Sequence, residues 1–279
     1  MKLFNRITII GLGLIGGSLG LAIKEKGLAK EIIGVSRRRA TVVRALSIGV
    51  IDKVTLDAEK AVKESDLIIL CAPVLEIIDI LKKISRSLDK GSIVTDAGST
   101  KTEIVKKIES YLPEGVDFVG SHPLAGSERS GVMNSDKGLF KGAYCIVTKT
   151  SKTRQAALNK VKKFWRGIGM KVEVMSPEKH DYVISRLSHL PHAVSVALCN
   201  SCSGQDMRLA AGGFKDTTRI ASGEPELWKD IFLTNRKNIT RDIGKIEKEL
   251  SKIRKALQNN KSREILKLLT KAKTIRDGI

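Results

Sequence analysis

Five glycines, Gly11, Gly13, Gly16, Gly17 and Gly20, interrupt the most apolar stretch of this chain, residues 7–22. Residues 7–10 read as a strand and residues 14–26 as a helix, so Gly11-Leu12-Gly13-Leu14-Ile15-Gly16 is the turn between them. In that setting the spacing has a mechanical meaning. The first glycine permits a tight turn, the second lets backbone approach a pyrophosphate, and the third lets the helix pack closely on the strand. The helix start adds free N–H groups and the positive end of its dipole. A dinucleotide-binding unit is expected, held through residues 11–16. Lys2 and Arg6 precede the apolar run as in a secretory leader, but the same residues make a strand, a turn and a helix. With charge resuming at Lys24, the run is too short and glycine-rich to span a membrane.

Short β-branched runs continue at residues 32–35, 67–70, 93–95, 118–120, 144–147 and 171–174, with helical stretches at 75–87, 101–111 and 152–168. This alternation predicts an α/β, Rossmann-like domain built on a parallel sheet. After Met175-Ser176-Pro177 the strand pattern stops and the rest reads as helices, broken around Gly204 and at Gly212-Gly213. Two domains follow, a dinucleotide-binding one over residues 1–176 and an all-α one over residues 177–279. In the second, Ile239, Ile243, Ile246, Leu250, Ile253 and Leu257 form a heptad seam that needs a partner helix. The partner is either the following helix or the same helix of a second subunit, and a homodimer is expected because the helical half is small.

The formal net charge of +20 raises the question of nucleic acid, but the basic residues are dispersed and aromatics are only 4% of the 279 residues. A surface that attracts anionic substrates is expected, with no nucleic acid and no membrane as partner. The four cysteines lack the density of a disulfide framework, which suits the cytoplasm. Cys199 and Cys202 form a CxxC without a second pair, and are expected to be two core positions rather than a metal or redox site.

Ligands of open parallel sheets bind beyond the carboxyl ends of the strands. The end of the second strand reads Val35-Ser36-Arg37-Arg38-Arg39, with no carboxylate to accept from a ribose hydroxyl. Ser36, Arg37 and Arg38 suit the extra phosphate of NADP, which is expected ahead of NAD. Three further strand ends share that edge: Cys71-Ala72-Pro73, Asp96-Ala97-Gly98-Ser99 and Ser121-His122-Pro123. His122 suits the removal of a hydroxyl proton during hydride transfer, and Ser99 either orients that imidazole or touches the nicotinamide. The helical half adds Ser188-His189-Leu190-Pro191-His192 and Gly213-Phe214-Lys215-Asp216-Thr217-Thr218-Arg219. Three of the four histidines thus sit in functional-looking motifs, and Arg219 can clamp a carboxylate.

Together with Gly120-Ser121-His122-Pro123-Leu124-Ala125-Gly126-Ser127-Glu128, these motifs resemble the prephenate and arogenate dehydrogenase family along almost the whole chain. The resemblance implies that His122 accepts the ring hydroxyl proton and that Ser99 supports it. It implies that His192 and Arg219 hold a carboxylate of a small dicarboxylate substrate and that Glu128 shapes the entrance. Trp228 would lie near the neighbouring site, and Ser188 and Asp216 belong to the substrate-binding motifs. The implied reaction is oxidative decarboxylation, driven by aromatisation of a cyclohexadiene ring, on the route to tyrosine. Within the family, His192 is similar to prephenate-type members and Ser36-Arg37 to NADP-using, arogenate-type ones. Prephenate is expected, because His192 would lie closer to the substrate. Neither a chorismate mutase fusion nor a regulatory domain is expected. Two alternatives remain: a 3-hydroxyacid-type dehydrogenase, which would rely on a catalytic lysine, and a dinucleotide-sensing regulator whose basic tail grips nucleic acid.

Overall fold

The computed structural model describes residues 2–126 and 129–279. Strands β1 (Phe4–Ile10), β2 (Ala29–Val35), β3 (Lys53–Thr55), β4 (Leu67–Leu70), β5 (Ile93–Asp96) and β6 (Asp117–Val119) form one sheet in the order β3-β2-β1-β4-β5-β6. Every pairing in it is parallel. The connecting helices are α1 (Leu14–Glu25), α2 (Arg39–Ser47), α3 (Ala58–Ala61), α4 (Val74–Ile84) and α5 (Thr102–Ile108). All four residues of β4 are buried, as expected of a central parallel strand covered on both faces. One face packs a core that includes Leu19, Phe140, Phe164 and Trp165, and the other a core that includes Ile77, Leu81, Ile104 and Ile108. The order reverses beside β1, so the crevice beyond β1 and β4 is where such a sheet binds ligands.

The later strands depart from expectation. Residues 118–120 end the parallel sheet, and β8 (Tyr144–Thr148) and β9 (Lys171–Met175) belong to a second, three-stranded sheet with β7 (Ser121–Pro123). β7 runs antiparallel to β8, with His122 opposite Ile146. Gly120 allows the chain to leave one sheet for the other. A Cβ there would lie 2.5 Å from the Thr148 hydroxyl oxygen, while the Gly120 carbonyl accepts from Thr148 N–H at 2.8 Å. His122 therefore sits in a strand rather than a free turn, and α6 (Gln155–Ile168) packs against β6, β8 and β9.

The helical half comprises α7 (Pro177–Ile184), α8 (Leu190–Asn200), α9 (Gly212–Thr218), α10 (Pro225–Thr234), α11 (Arg236–Gln258) and α12 (Ser262–Asp277). Between α7 and α8 the helix widens into a π-turn over Ser185–His189. Pro191 has no N–H for the carbonyl four residues back and its ring crowds that carbonyl, which accounts for the slip of the ladder. α8 ends at Asn200, so Cys199 is half-buried and Cys202 is exposed in the turn beyond it. The expectation of two core cysteines is thus corrected, because the helix stops before the second one. On α11, Ile239 is buried, but Leu250, Ile253 and Leu257 are 58, 43 and 57% exposed, so α12 leaves the far half of the seam uncovered. Among the described residues, no helix is long and apolar enough to cross a membrane.

Candidate active site

Beyond the carboxyl ends of β1, β4 and β5 lies a cleft of about 440 Å³, with Gly13 and Ile15 at one side, Ser99 and His122 at another, and Glu224 and Leu227 from the helical half. Gly11 has φ of +101°, and a Cβ there would lie 2.1 Å from the Cys71 carbonyl oxygen. A Cβ on Gly16 would lie 2.0 Å from the Gly11 carbonyl oxygen, so turn, strand and helix interlock through missing side chains. Gly13, in contrast, would meet nothing within 4 Å and opens onto the cleft. α1 has no side-chain cap and no acidic residue in its first turn, which leaves its first N–H groups for an anion. Gly11, Gly13, Leu14, Ile15 and Gly16 thus fit a pyrophosphate. The side chain of Leu12 is buried in the core, so this residue can contribute only backbone.

Cys71, Ala72 and Pro73 line the cleft as expected, and burial pushes the Cys71 thiol far up, which leaves it a protonated, unreactive wall. Ser36, Arg37 and Arg38 lie apart, at the end of β2. Ser36 Oγ accepts from the Arg38 N–H at 3.3 Å, and Arg37 pairs with Glu76 on α4 at 2.9 Å with its side chain 83% exposed.

The chemical end of the cleft rests on a buried charge pair. Lys101 donates to Asp96 with both side chains fully buried, and Asp96 also accepts from the N–H groups of Gly98 (2.9 Å) and Ser121 (3.1 Å). The Ser121 hydroxyl bonds to Thr95 Oγ1 at 2.8 Å and accepts from Trp165 Nε1 at 3.0 Å. With Ser121 locked inward, the alternation of β7 turns His122 to the opposite side, where it lines the cleft. His122 Nδ1 lies 2.8 Å from His180 Nε2, and His180 Nδ1 lies 2.8 Å from Asp181 Oδ1. Asp181 further accepts from the N–H groups of Lys101 (2.7 Å) and Thr102 (2.9 Å), which caps the start of α5.

This arrangement corrects one expectation. The partner that orients His122 is His180, whereas Ser99 lines the cleft without bonding to the imidazole. His180 was the one histidine outside a recognisable motif. Its only sequence signal was an adjacent aspartate at the start of a Pro-initiated helix.

Burial, then the neighbouring His180, Lys101 and His189, hold His122 well below the ordinary imidazole range, so it is neutral near pH 7. Burial also depresses His180, against the pull of Asp181. Burial would raise Asp181, but its bonds to His180, Thr102 and Lys101 leave it below the usual carboxylate value.

From the helical half, His192 stacks on Trp228 with ring centroids 3.5 Å apart and planes 9° from parallel. Gly223 makes the stack possible, because a Cβ there would lie 2.3 Å from Trp228 Nε1. His189 Nδ1 lies 3.1 Å from Asn235 Nδ2, an amide that also donates to the Asp181 carbonyl at 2.8 Å. His189 Nε2 and His192 Nδ1 are buried without a protein partner, the usual mark of a place where a ligand or water completes the bonding. Thr100 Oγ1 and Thr234 Oγ1, 2.9 Å apart, tie α10 to the β5 loop. Ser188 lies half-buried in the π-turn, whereas Asp216 on α9 and Arg219 just after it are exposed. None of these three lines the cleft in the single chain. Glu128 lies outside the described residues.

Acid should loosen this assembly. His189 falls from 6.5 to about 4 through burial, then His180 and His192, despite Asp181. His122, His180 and His192 shift the same way. Between the folded and unfolded values the unfolded chain binds more protons, so these groups cost stability as pH falls below about 6.5. The His189 share alone is on the order of 3 kcal/mol by pH 4. Urea midpoints measured from pH 7.5 down to 4.5 should decline, and a flat profile would mean that these imidazoles are not buried neutral.

A cleft of this kind, on this sheet order, belongs to the dehydrogenases that use a nicotinamide dinucleotide. The family model for the prephenate dehydrogenase nucleotide-binding domain matches residues 19–174, and that for the prephenate dehydrogenase dimerization domain matches residues 176–271. Prephenate dehydrogenase of Bacillus subtilis is 37% identical over 99% of this chain and 76% of its own length. Cyclohexadienyl dehydrogenase of Zymomonas mobilis is 36% identical over 92% of this chain and 90% of its own. A crystal structure of prephenate dehydrogenase from Aquifex aeolicus with hydroxyphenyl propionate and NAD+ superposes with a TM-score of 0.91 at 36% identity, covering 98% of each chain. Arogenate dehydrogenase of Synechocystis gives 0.84 at 30% identity over 98% of this chain and 99% of its own. The chain belongs to the prephenate dehydrogenase family, a family of nicotinamide-dependent oxidoreductases.

Proposed function

We propose that this chain oxidatively decarboxylates prephenate to 4-hydroxyphenylpyruvate in the supply of tyrosine. The observation that carries the reading is a neutral, held imidazole, His122, on the same cleft as the open Gly13 turn. A bound nicotinamide supplies the acceptor for the hydride that leaves the carbinol carbon. His122 takes the hydroxyl proton as the carbonyl forms. Loss of carbon dioxide then returns the electron pair to the ring as a phenolate, which recovers the proton. Ser99, on the cleft wall, would touch the nicotinamide when it is bound. His192, stacked on Trp228, offers an unpaired Nδ1 to the substrate side chain or carboxylate; Arg219 with Ser188 and Asp216, which lie outside the cleft of the single chain, would add to the carboxylate clamp, and Glu128 would shape the entrance. With the division taken between residues 176 and 177, the proposed proton acceptor falls on one domain and the proposed carboxylate clamp on the other.

NADP is the favoured cofactor, supported by the absence of a carboxylate at Ser36 and by Arg37 and Arg38 beside it. Ser36→Asp with Arg37→Ala should lower the NADP-to-NAD preference about ten- to a hundredfold, the value of one charge-assisted phosphate bond. An unmoved ratio would place the ribose contact elsewhere.

A homodimer through the helical half is supported by the exposed Leu250, Ile253 and Leu257 seam. The four free thiols suit the cytoplasm, where we place the enzyme. Steady-state assays crossing prephenate and arogenate with NAD and NADP test the whole reading. Turnover of prephenate is expected to dominate, and turnover of arogenate alone would reassign the substrate.

A further inference from the structure

We infer that His180 and Asp181 are positioning residues that set which nitrogen of His122 is free to accept a proton. The inference rests on His122 being the proton acceptor and adds how that imidazole is kept in its basic form. A carboxylate can only accept, so the 2.8 Å contact from His180 Nδ1 to Asp181 Oδ1 requires the hydrogen to be on Nδ1. A neutral imidazole has one ring hydrogen, so His180 Nε2 is bare and must accept. At 2.8 Å from it, His122 Nδ1 must then donate, and the single hydrogen of neutral His122 is used there. Its Nε2 is left with a lone pair, on a side chain that lines the cleft. The protein bond on one nitrogen thus prescribes the chemistry of the other.

The chain of constraint begins in backbone. Asp181 accepts from the N–H groups of Lys101 and Thr102 in addition to His180, which fixes its carboxylate and holds it ionised. The arrangement also reverses. If His180 were protonated, its Nε2–H would donate to His122 Nδ1, and the remaining hydrogen of His122 would move to Nε2 and block the lone pair. Burial works against that state, as do Lys101, while Asp181 and Asp96 favour it. Lys101 and His189 face His122 in the same network. When a proton does arrive at His122 Nε2, the Nδ1 proton can pass to His180 Nε2. The positive charge then lies beside Asp181, and it returns along the same bonds when the proton leaves. Because α7 carries both positioning residues, the helical domain controls the base of the sheet domain.

The test reads the hydrogen directly. In full-length protein labelled with 15N-histidine, long-range proton–nitrogen correlation spectra at pH 7.5 resolve four imidazoles, and His122→Asn identifies the signals of His122. The expected result is the Nδ1–H tautomer for both His122 and His180. His180→Leu should turn His122 to the Nε2–H form and lower kcat at least about tenfold with KM little changed, as for other supporting partners of a reactive imidazole. His180→Gln, whose side-chain oxygen can still accept from Nδ1–H, should restore the tautomer and most of the turnover. An Nε2–H tautomer for His122 in the unaltered protein would overturn the inference whether or not the variants fold. Equal turnover in the leucine and glutamine variants would do the same. If His122→Asn retained full turnover while the Nδ1–H tautomer was found, the base assignment would fail and the positioning chain would stand.

Discussion

His122→Asn lowers kcat by about a hundred- to ten-thousandfold with KM nearly unchanged, the range expected when a positioned general base is removed. Asparagine keeps a polar group near the Nδ1 position, so the bond to His180 has a substitute and β7 keeps its pairing with β8. What is lost is the second nitrogen, the group proposed to take the hydroxyl proton as the carbon gives up hydride. On the proposed reading substrate affinity is carried elsewhere, by residues of the helical half, so the loss should fall on kcat. A residual rate survives because cofactor and substrate are still held together and aromatisation still drives the reaction. Steady-state kinetics with NADP and with NAD check this. A variant with unaltered kcat would remove His122 from the chemistry, and a large rise in KM at constant kcat would make it a binding residue.

The second large effect lies beneath the site. Lys101→Met should cost on the order of 3–5 kcal/mol of stability, because it leaves the fully buried Asp96 without its counter-charge. That is a large share of the 5–15 kcal/mol that usually holds a domain folded. The Gly98 and Ser121 N–H groups cushion part of the loss, since both still donate to Asp96. Turnover should fall as well, because Asp96 fixes the loop that carries Ser99 and the strand that carries His122. Adding Asp96→Asn to Lys101→Met removes both charges and should recover much of the deficit, as buried pairs do when both partners go. Urea denaturation of the two variants measures the difference. If the single variant matched the unaltered protein in its midpoint, the pair would be dispensable and the charge argument wrong.

Both predictions concern residues whose visibility in the sequence differed sharply. His122 was legible because it follows a strand on the ligand-binding edge and sits in a long motif. Lys101 reads in the sequence as one more surface cation of fifty basic residues, yet it is fully buried. Asp96 stands only five residues before it, but the pair is buried only because β7 closes over it, with the Ser121 N–H donating to Asp96. His180 was missed for a similar reason, since its meaning depends on a strand 58 residues earlier. Periodicity reveals which face of an element is apolar, but it does not reveal which elements meet. The three-residue β3 and β7 also escaped, whereas β6, of the same length, was legible from its apolar Phe118-Val119. The change from one sheet to two at Gly120 had no local signal apart from the glycine itself.

By itself the amino-acid order determined the class of fold, the glycine turn with its phosphate-binding logic, the division between a strand-rich and a helical half, and His122 as the acceptor to test. These are local matters, set by side chains within a few residues of one another. The tertiary structure alone decided the two-sheet arrangement, the buried Lys101–Asp96 pair, the stacking of His192 on Trp228 and the line from Asp181 through His180 to His122. The stack and the line to His122 join segments far apart in the chain, and the Lys101–Asp96 pair, only five residues apart, is buried only by the elements that close around it, so a hydrogen bond or a buried charge gains its value once the fold has formed.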